Sequence, residues 1–189
     1  MKIGLVGEDP NDTSSIKNLL RKKYPKIEFI NISGGQRGFR LDNVNKTKRV
    51  IESNASRNKI NFIIYIRDMD GHEHDKAKRT ERVNWFNALD KDSKHEGILL
   101  LNIHELEALI LADIDSFNAL FNTKVKFTKN PMFQPEPKEF LMDKTKKHSR
   151  TYHERDAPEI FNILDIEKVI KKCKYFDTFI KDFDKKIMV

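Results

Sequence analysis

The chain has little of what disulfide-bonded, zinc-bound or membrane-spanning proteins need. Of its 189 residues one is a cysteine, Cys173, which excludes an intramolecular disulfide and a zinc cage built from cysteines. Unbroken apolar runs reach only about five residues, as in 62–66 and 108–112, far below the ~20 that a membrane helix needs. Because Glu8 interrupts the first apolar segment, we expect no export signal. These absences predict a soluble protein of a reducing compartment, the cytoplasm.

Charged residues, by contrast, are abundant, and basic residues outnumber acidic ones. Charged residues make up 34% of the chain, the formal net charge is +7 and the sequence pI is near 9.3. An apolar fraction of 38% and thirteen phenylalanines argue against disorder. The length suits one compact domain and is short for two. A basic protein of this kind fits a polyanionic partner such as nucleic acid.

Apolar periodicity alternates between strand and helix over the first 122 residues. Strands are predicted at 2–7, 26–32, 61–66 and 97–102, and helices near 16–20, 42–56, 76–90 and 104–113. The 61–66 strand is apolar on both faces, which indicates a central strand in a covered sheet. The alternation predicts an α/β fold with a mostly parallel four-stranded sheet flanked by helices. Residues 123–189 are rich in basic residues, and we expect a mostly helical extension packed on the 1–122 core.

Acidic side chains follow three of the predicted strands. Glu8 comes after the first strand, Asp68 and Asp70 after the third, and Glu105 and Glu107 after the fourth. The carboxyl ends of parallel strands share one edge of the sheet, so these carboxylates should meet in one crevice. Clustered carboxylates repel one another unless a cation lies among them, and oxygen ligands suit Mg²⁺ or Mn²⁺ better than zinc. The pattern predicts a divalent-metal site that hydrolyses phosphodiesters of DNA or RNA.

Each acid taken alone also has a structural interpretation. A single Asp or Glu after a strand is commonly a helix cap or a solvated loop residue, and Asp12 can cap the first helix. The Asp68 and Asp70 pair is more specific, because alternate residues of an extended segment point the same way. Helical residues two apart do not share a face, so Glu105 and Glu107 both reach the site only if the helix begins after Glu105. Of these two, Glu107 is the preferred ligand.

Three segments resemble the TOPRIM (topoisomerase–primase) fold. Residues 6–12, VGEDPND, are similar to its Glu-Gly-x-x-Asp turn, and residues 68–70, DMD, to its Asp-x-Asp motif. Residues 102–113, NIHELEALILAD, are similar to a segment of small TOPRIM-like proteins that are discussed beside ABC-type or OLD-family (overcoming lysogenisation defect) ATPases in bacterial defence. The resemblance covers about residues 1–113. One position departs from it, because Asp9 stands where the pattern has glycine.

The resemblance implies an activity, a cofactor and residue roles. It implies Mg²⁺-dependent cleavage or rejoining of nucleic acid, with Glu8 as general acid/base or bridging ligand. Asp68 and Asp70 would be metal ligands, and Asp12 a supporting acid or helix cap. It also implies an ABC-type or OLD-like ATPase subunit as partner. The chain has no P-loop, so any ATP dependence would come from that other subunit.

Further candidates for substrate contact lie outside these motifs. His72 is either a solvated loop residue beside the site or a substrate contact. Arg37 and Arg40, in the loop after the second strand, are candidates for touching backbone phosphates. The basic stretch 144–155 is either a solvated face or a phosphate-binding strip, in which a lysine could neutralise the scissile phosphate and a tyrosine could stack on a base. Its candidate residues are Lys144, Lys146, Lys147, Arg150 and Tyr152.

Two other function classes stay open at this point. A non-catalytic partner subunit would use the acidic pocket for a metal or nucleotide and the basic extension for docking protein or nucleic acid. A phosphotransfer receiver domain also clusters acids at strand ends, but it would leave the basic extension without a role. Metal-dependent cleavage that depends on Asp68 distinguishes the nuclease from both.

Overall fold

The computed structural model of the protein describes residues 1–33, 43–91 and 93–188. Its sheet has four parallel strands in the order β2-β1-β3-β4. The strands are β1 (Lys2–Val6), β2 (Glu28–Asn31), β3 (Phe62–Asp68) and β4 (Gly97–Asn102). The predicted α/β fold with a parallel four-stranded sheet is therefore confirmed.

Helices follow the strands and continue through the C-terminal region. They are α1 (Pro10–Lys23), α2 (Val44–Asn58), α3 (Lys76–Asp90), α4 (Ala108–Ala112), α5 (Ile114–Phe121), α6 (Pro137–Thr145), α7 (Ala157–Ile163), α8 (Ile166–Lys172) and α9 (Lys174–Ile187). Within the described ranges, none of these helices combines the length and apolar character that crossing a bilayer requires. The helix predicted over 104–113 starts only at Ala108, because His104 has a left-handed φ of 58° that an α-helix cannot contain.

The first helix begins one residue after Asp9, which is its N-cap. The Asp9 side chain accepts a hydrogen bond of 2.7 Å from the amide of Asn11, and the Asp9 amide donates to Asp12 at 3.4 Å. Pro10 occupies the first helical turn, where its missing N–H costs nothing. The cap is therefore Asp9, and Asp12 is its capping-box partner. Asp9 has an ordinary extended φ of −116°, so this turn does not require the glycine of the TOPRIM pattern.

The two faces of the sheet bury different clusters of side chains. On one face the larger hydrophobic core joins alternate strand residues such as Leu5 and Ile64 to α1, α4, α5 and α7–α9. On the other face Val6 and Tyr65 pack with residues of α2 and α3. The Phe183 ring of α9 lies 4.6 Å from the Tyr24 ring, between centroids. The C-terminal helices thus supply part of the core beneath the sheet.

The strand order places a topological switch point between β1 and β3. From β1 the chain moves to β2 on one side, whereas β3 and β4 lie on the other. Ligands of open parallel sheets bind in the crevice outside the carboxyl ends of the strands at such a point. Glu8 follows β1 and Asp68 ends β3, so both lie at this crevice.

Candidate functional site

A polar pocket of about 210 Å³ opens at the carboxyl ends of β1 and β3. Five of the predicted acids line it: Glu8, Asp12, Asp68, Glu105 and Glu107. The lining is completed by Asp9, Asn11, Lys138, Glu154 and Ala157. Carboxylates from separate segments of the chain therefore meet in one cavity, which is named the acidic pocket below.

Asp68 is fixed in the acidic pocket by the neighbouring strand. The side-chain amide of Asn102, at the end of β4, donates a hydrogen bond of 2.9 Å to Asp68 Oδ1. Burial and the charges of Asp12 and Glu107 raise the pKa of Asp68 well above its ordinary value, and the bond from Asn102 opposes this. Asn102 is fully buried, and its Oδ1 has no hydrogen-bond partner among the described residues. An acceptor oxygen without a donor thus lies beside Asp68.

Burial also disfavours the charged forms of Asp12 and Glu107. Burial, followed by the charge of Glu107, raises the pKa of Asp12 to about 7. Burial raises the pKa of Glu107 to about 7 as well, although a hydrogen bond of 2.9 Å from the Tyr152 hydroxyl opposes the shift. Glu107 is 7% exposed. Ionising all of these carboxylates at neutral pH therefore costs free energy unless a cation compensates their charge.

Glu105 and Glu107 both reach the acidic pocket because they precede α4. The condition for this, a helix that begins after Glu105, is met, since α4 starts at Ala108. Glu105 is held by Lys138, whose backbone amide donates to Glu105 Oε2 at 3.2 Å and whose Nζ lies 3.7 Å from Glu105 Oε1. Burial raises the pKa of Glu105, and Lys138 opposes that rise.

Glu8 is oriented by an arginine from the end of β3. Arg67 Nη2 lies 3.1 Å from Glu8 Oε1, and the Arg67 guanidinium stacks 4.7 Å above the Trp85 ring. Arg67 is 7% exposed, whereas the Glu8 side chain is about half exposed at 49%. Glu8 is thus a carboxylate at the mouth of the pocket with a fixed cationic neighbour. The sequence signal for Arg67 is a charged residue that interrupts an otherwise apolar strand.

Asp70 and His72 lie outside the acidic pocket. The backbone turns at Asp70, whose φ of 52° is left-handed, so Asp68 and Asp70 do not continue one extended segment. The Asp70 side chain is ion-paired with Arg82 at 2.7 Å, and it is absent from the pocket lining. His72 stacks on the Phe133 ring instead. The expectation that alternate residues point the same way fails here because the left-handed backbone at Asp70 ends the extended conformation.

A second cavity of about 710 Å³ adjoins the acidic pocket and is more basic. It shares four residues with the pocket, Asp9, Asn11, Lys138 and Glu154, and adds Glu139, Met142, His153 and Arg155. Lys138 pairs with Glu154 at 2.8 Å, and this hydrogen bond holds the pKa of Lys138 above its ordinary value. Lys138 therefore stands charged between the two cavities. A lone lysine after a proline carries no sequence signal for such a role.

None of the predicted nucleic-acid contacts that the structure describes lines either cavity. Tyr152 is fully buried and cannot stack on a base, which corrects its predicted role. Arg150 is ion-paired with Asp156 at 2.8 Å and with Glu159 at 2.5 Å. Lys144, Lys146 and Lys147 are exposed, with Lys146 paired to Asp143 and Lys144 lying over the Phe140 ring. Arg37 and Arg40 lie outside the described residues.

The oxygen atoms of the acidic pocket suit a divalent-metal site at which water and substrate supply some of the ligands. They suit less well a site enclosed by protein ligands alone. In the part of the chain that the structure describes, no three His, Cys, Asp or Glu side chains form a ready-made metal cage. Mg²⁺, however, usually keeps several waters and uses one or two carboxylates together with substrate phosphates. The mutually repelling carboxylates and the unpartnered Asn102 Oδ1 are oxygen donors of the kind that Mg²⁺ and Mn²⁺ bind.

Comparison with known proteins gives a family but no function. Neither the curated proteins nor the solved structures include a significant match to the chain. The model of one family, described as "Domain of unknown function (DUF4276)", matches residues 7–184. Since this match spans nearly the whole chain, the protein belongs to the DUF4276 family.

Proposed function

We propose that this protein is a divalent-metal-dependent nuclease that hydrolyses phosphodiester bonds of DNA or RNA. One observation carries the proposal: Asp12, Asp68 and Glu107 line a single pocket at the switch point of a parallel sheet, where burial raises the pKa of each and the charge of Glu107 adds to the rise at Asp12 and Asp68. Holding several unpaired carboxylates together is costly, and a bound divalent cation removes that cost. The net charge of +7 supports a polyanionic substrate.

In this proposal the buried carboxylates hold the metal. One or two of Asp12, Asp68 and Glu107 would bind the ion directly, with water and substrate phosphate as its other ligands, and Glu105 completes the negative wall of the pocket. When bound, Mg²⁺ or Mn²⁺ would supply Lewis-acid polarisation of the phosphate and a more acidic water. Asp70 is not proposed as a primary metal ligand, because its carboxylate is paired with Arg82.

Two other charged groups act on the reacting atoms. Glu8, held by Arg67, accepts the proton of the attacking water at the mouth of the pocket. The water oxygen bonds to phosphorus, the bond to the leaving sugar oxygen breaks, and that oxygen takes a proton from solvent. Lys138, between the two cavities, neutralises charge on the scissile phosphate. It takes the place of the three lysines of the basic stretch as the candidate for this role.

The TOPRIM resemblance and the ATPase partner stay proposals. The turn after β1 and the end of β3 lie at one crevice, which supports the first of them. The position of Asp70 outside the pocket weighs against a direct transfer of the family's Asp-x-Asp roles. An ABC-type or OLD-like ATPase subunit would be tested by co-purification with the full chain.

A cleavage assay tests the proposal. Single- and double-stranded DNA and RNA are incubated with the protein in Mg²⁺, Mn²⁺ or EDTA, beside three single variants. Asp68→Asn should lower the cleavage rate by at least about 100-fold. Asp70→Asn should keep most of the rate, because it removes only an ion pair with Arg82 in which the Asp70 side chain is 58% exposed. Asp115→Asn is the matched control, since Asp115 is 83% exposed and is absent from the pocket lining.

The outcomes separate the two function classes. Metal-dependent cleavage that Asp68→Asn abolishes and Asp115→Asn preserves supports the nuclease. Cleavage lost equally in Asp70→Asn would return Asp70 to the ligand set. Intact nucleic-acid binding without cleavage in any metal would overturn the nuclease and favour a non-catalytic partner subunit.

A further inference from the structure

One large aromatic side chain among the described residues is exposed, and its ring partner contacts the segment that carries Glu105. Phe133 is 53% exposed, and the other large apolar residues exposed in the described ranges, Met1, Ile163 and Met188, are aliphatic. The Phe133 ring lies parallel to the His72 ring, with an interplanar angle of 5° and centroids 6.0 Å apart. This is the offset stacked arrangement that aromatic rings prefer. The Phe133–His72 pair therefore presents an ordered flat surface rather than a loose side chain.

A short rigid turn presents Phe133. It spans Pro131–Phe133, and its first two residues are buried. The Asn130 side chain caps the turn by accepting from the Met132 amide at 3.0 Å, and the Phe133 amide donates to the Asn130 carbonyl at 3.0 Å. Met132 packs with Met69 and Ile103, which belong to the segments after β3 and β4. The turn buries its anchor residues and leaves the ring outside.

His72 is fixed on its other side to the segment that carries Glu105. Its ring meets the edge of the His104 ring at 5.8 Å and 88°. The backbone of the two segments is joined by His104 N donating to Gly71 O and by Asp70 N donating to His104 O, both at 3.0 Å. Glu105, the residue after His104, lines the acidic pocket. The Phe133–His72 pair is thus linked, through the His104 ring, to the segment that lines the acidic pocket.

We propose that the Phe133–His72 pair stacks on an unpaired base of a polynucleotide whose backbone enters the acidic pocket. The inference rests on the proposed function and adds a substrate class to it: single-stranded nucleic acid, or a frayed single-stranded segment. Every base has a π-face, so such a platform binds single strands with little sequence preference. A base inside a duplex already stacks on its neighbours and must be unstacked first. Lys78, which donates to the Asp70 backbone carbonyl, offers positive charge to the backbone on this side.

The isolated ring suits a base better than a protein partner. A stable protein interface needs more than about 1,000 Å² of buried area, whereas a single exposed aromatic residue offers only a small part of that. The two residues before Phe133 in the turn are buried, and the other large apolar side chains exposed in the described ranges are only Met1, Ile163 and Met188. The platform therefore fits a flat ligand of the size of one base.

A binding experiment with Ca²⁺ in place of Mg²⁺ tests the inference without requiring cleavage, since Ca²⁺ also takes oxygen ligands and neutralises the acidic pocket. The probe is a single-stranded oligonucleotide carrying 2-aminopurine, whose fluorescence reports stacking, and the comparison is the same oligonucleotide in a duplex. Phe133→Ala should weaken single-strand binding about tenfold and abolish the change in fluorescence. Phe133→Trp should restore both, since it keeps a large ring. Ile163→Ala is the matched control, because Ile163 is another exposed apolar residue, at 44%.

Each result tests base stacking on the Phe133–His72 pair separately from the nuclease proposal. Equal single-strand affinity in the original protein and in Phe133→Ala would overturn the inference, as would an equal loss in Ile163→Ala. Duplex binding that falls as much as single-strand binding would also overturn the single-strand class. If binding behaves as expected but no metal supports cleavage, only the nuclease proposal fails.

Discussion

The Tyr152 hydroxyl donates a hydrogen bond of 2.9 Å to Glu107 Oε1, although the two residues are 45 positions apart. Both side chains are buried, and burial together with the Glu107 charge raises the pKa of Tyr152 well above its ordinary value, so the hydroxyl remains a donor. The C-terminal region therefore supplies a group that favours the charged form of one carboxylate of the acidic pocket.

Tyr152→Phe should destabilise the protein most at alkaline pH. The substitution keeps the ring against Phe117 and Phe121 but removes the donor to a buried carboxylate. At about pH 8, where Glu107 is mostly ionised, we expect a loss of about 1.5–3 kcal/mol in the free energy of unfolding. Urea denaturation at about pH 5 and about pH 8 measures it, and an equal loss at both pH values would contradict the prediction.

Asn102→Leu should weaken metal binding at the acidic pocket without unfolding the protein. The variant removes the hydrogen bond to Asp68 Oδ1 and keeps the number and branching of side-chain heavy atoms in a buried position. We expect metal affinity, followed by calorimetric titration of Mg²⁺, to fall about 10- to 100-fold, as for residues that orient metal ligands. Unchanged affinity would show that Asn102 only packs.

The metal-free protein should lose stability as the pH rises. Asp12 and Glu107 have pKa values of about 7 in the folded chain against ordinary values of 3.8 and 4.5. Between those values the folded state binds protons that the unfolded state has released, so their contribution is full at acid pH and is lost as the pH rises through about 7. Thermal unfolding in EDTA should therefore give a lower Tm at about pH 8 than at about pH 5.

Magnesium should reverse this trend at the alkaline end. Added Mg²⁺ should raise Tm at about pH 8 and change it little at about pH 5, where the carboxylates are protonated. In EDTA at about pH 8, Asp68→Asn should raise Tm by about 2–4 °C and remove the response to Mg²⁺. Asp115→Asn should behave like the original protein. A Mg²⁺ response that survives in Asp68→Asn would place the ion elsewhere.

Phe183→Ala should destabilise the whole chain rather than its C-terminal part alone. Phe183 is fully buried and packs on the rings of Tyr24, Phe29 and Phe62, which belong to the N-terminal half. We expect a loss of about 3–5 kcal/mol in a single cooperative transition. Far-ultraviolet circular dichroism in urea measures it, and two separate transitions would instead indicate independent 1–122 and 123–189 units.

The periodic elements of the fold follow from local sequence patterns. The predicted ranges 76–90 and 97–102 coincide with α3 and β4, because each carries an apolar pattern ended by polar residues. The start of α4 was less predictable. Nothing in the apolar pattern near Leu106 reveals that His104 adopts a left-handed conformation and that its backbone bonds to Gly71.

The site was predictable only where the strand ends determine it. Glu8 and Asp68 follow from the rule that carboxyl ends of parallel strands share an edge. Lys138 contacts Glu105 across 33 positions, and a lysine looks the same in sequence whether it faces solvent or an acid. Tyr152 was misjudged because the basic residues around it suggested an exposed strip, whereas its ring enters the core and its amide donates to Thr145. Asn102 had a signal, a polar residue closing an apolar strand.

The acidic pocket joins residues from both ends of the chain, and this determines when it can form. A ribosome releases Glu8 and Asp68 early, but Lys138, Tyr152 and Glu154 emerge only after every predicted acid has been made. Until then Glu107 lacks the hydrogen bond from Tyr152 and the cleft lacks its lysine. A nascent chain therefore carries an unfinished cleft until the segment that holds Lys138, Tyr152 and Glu154 has been made.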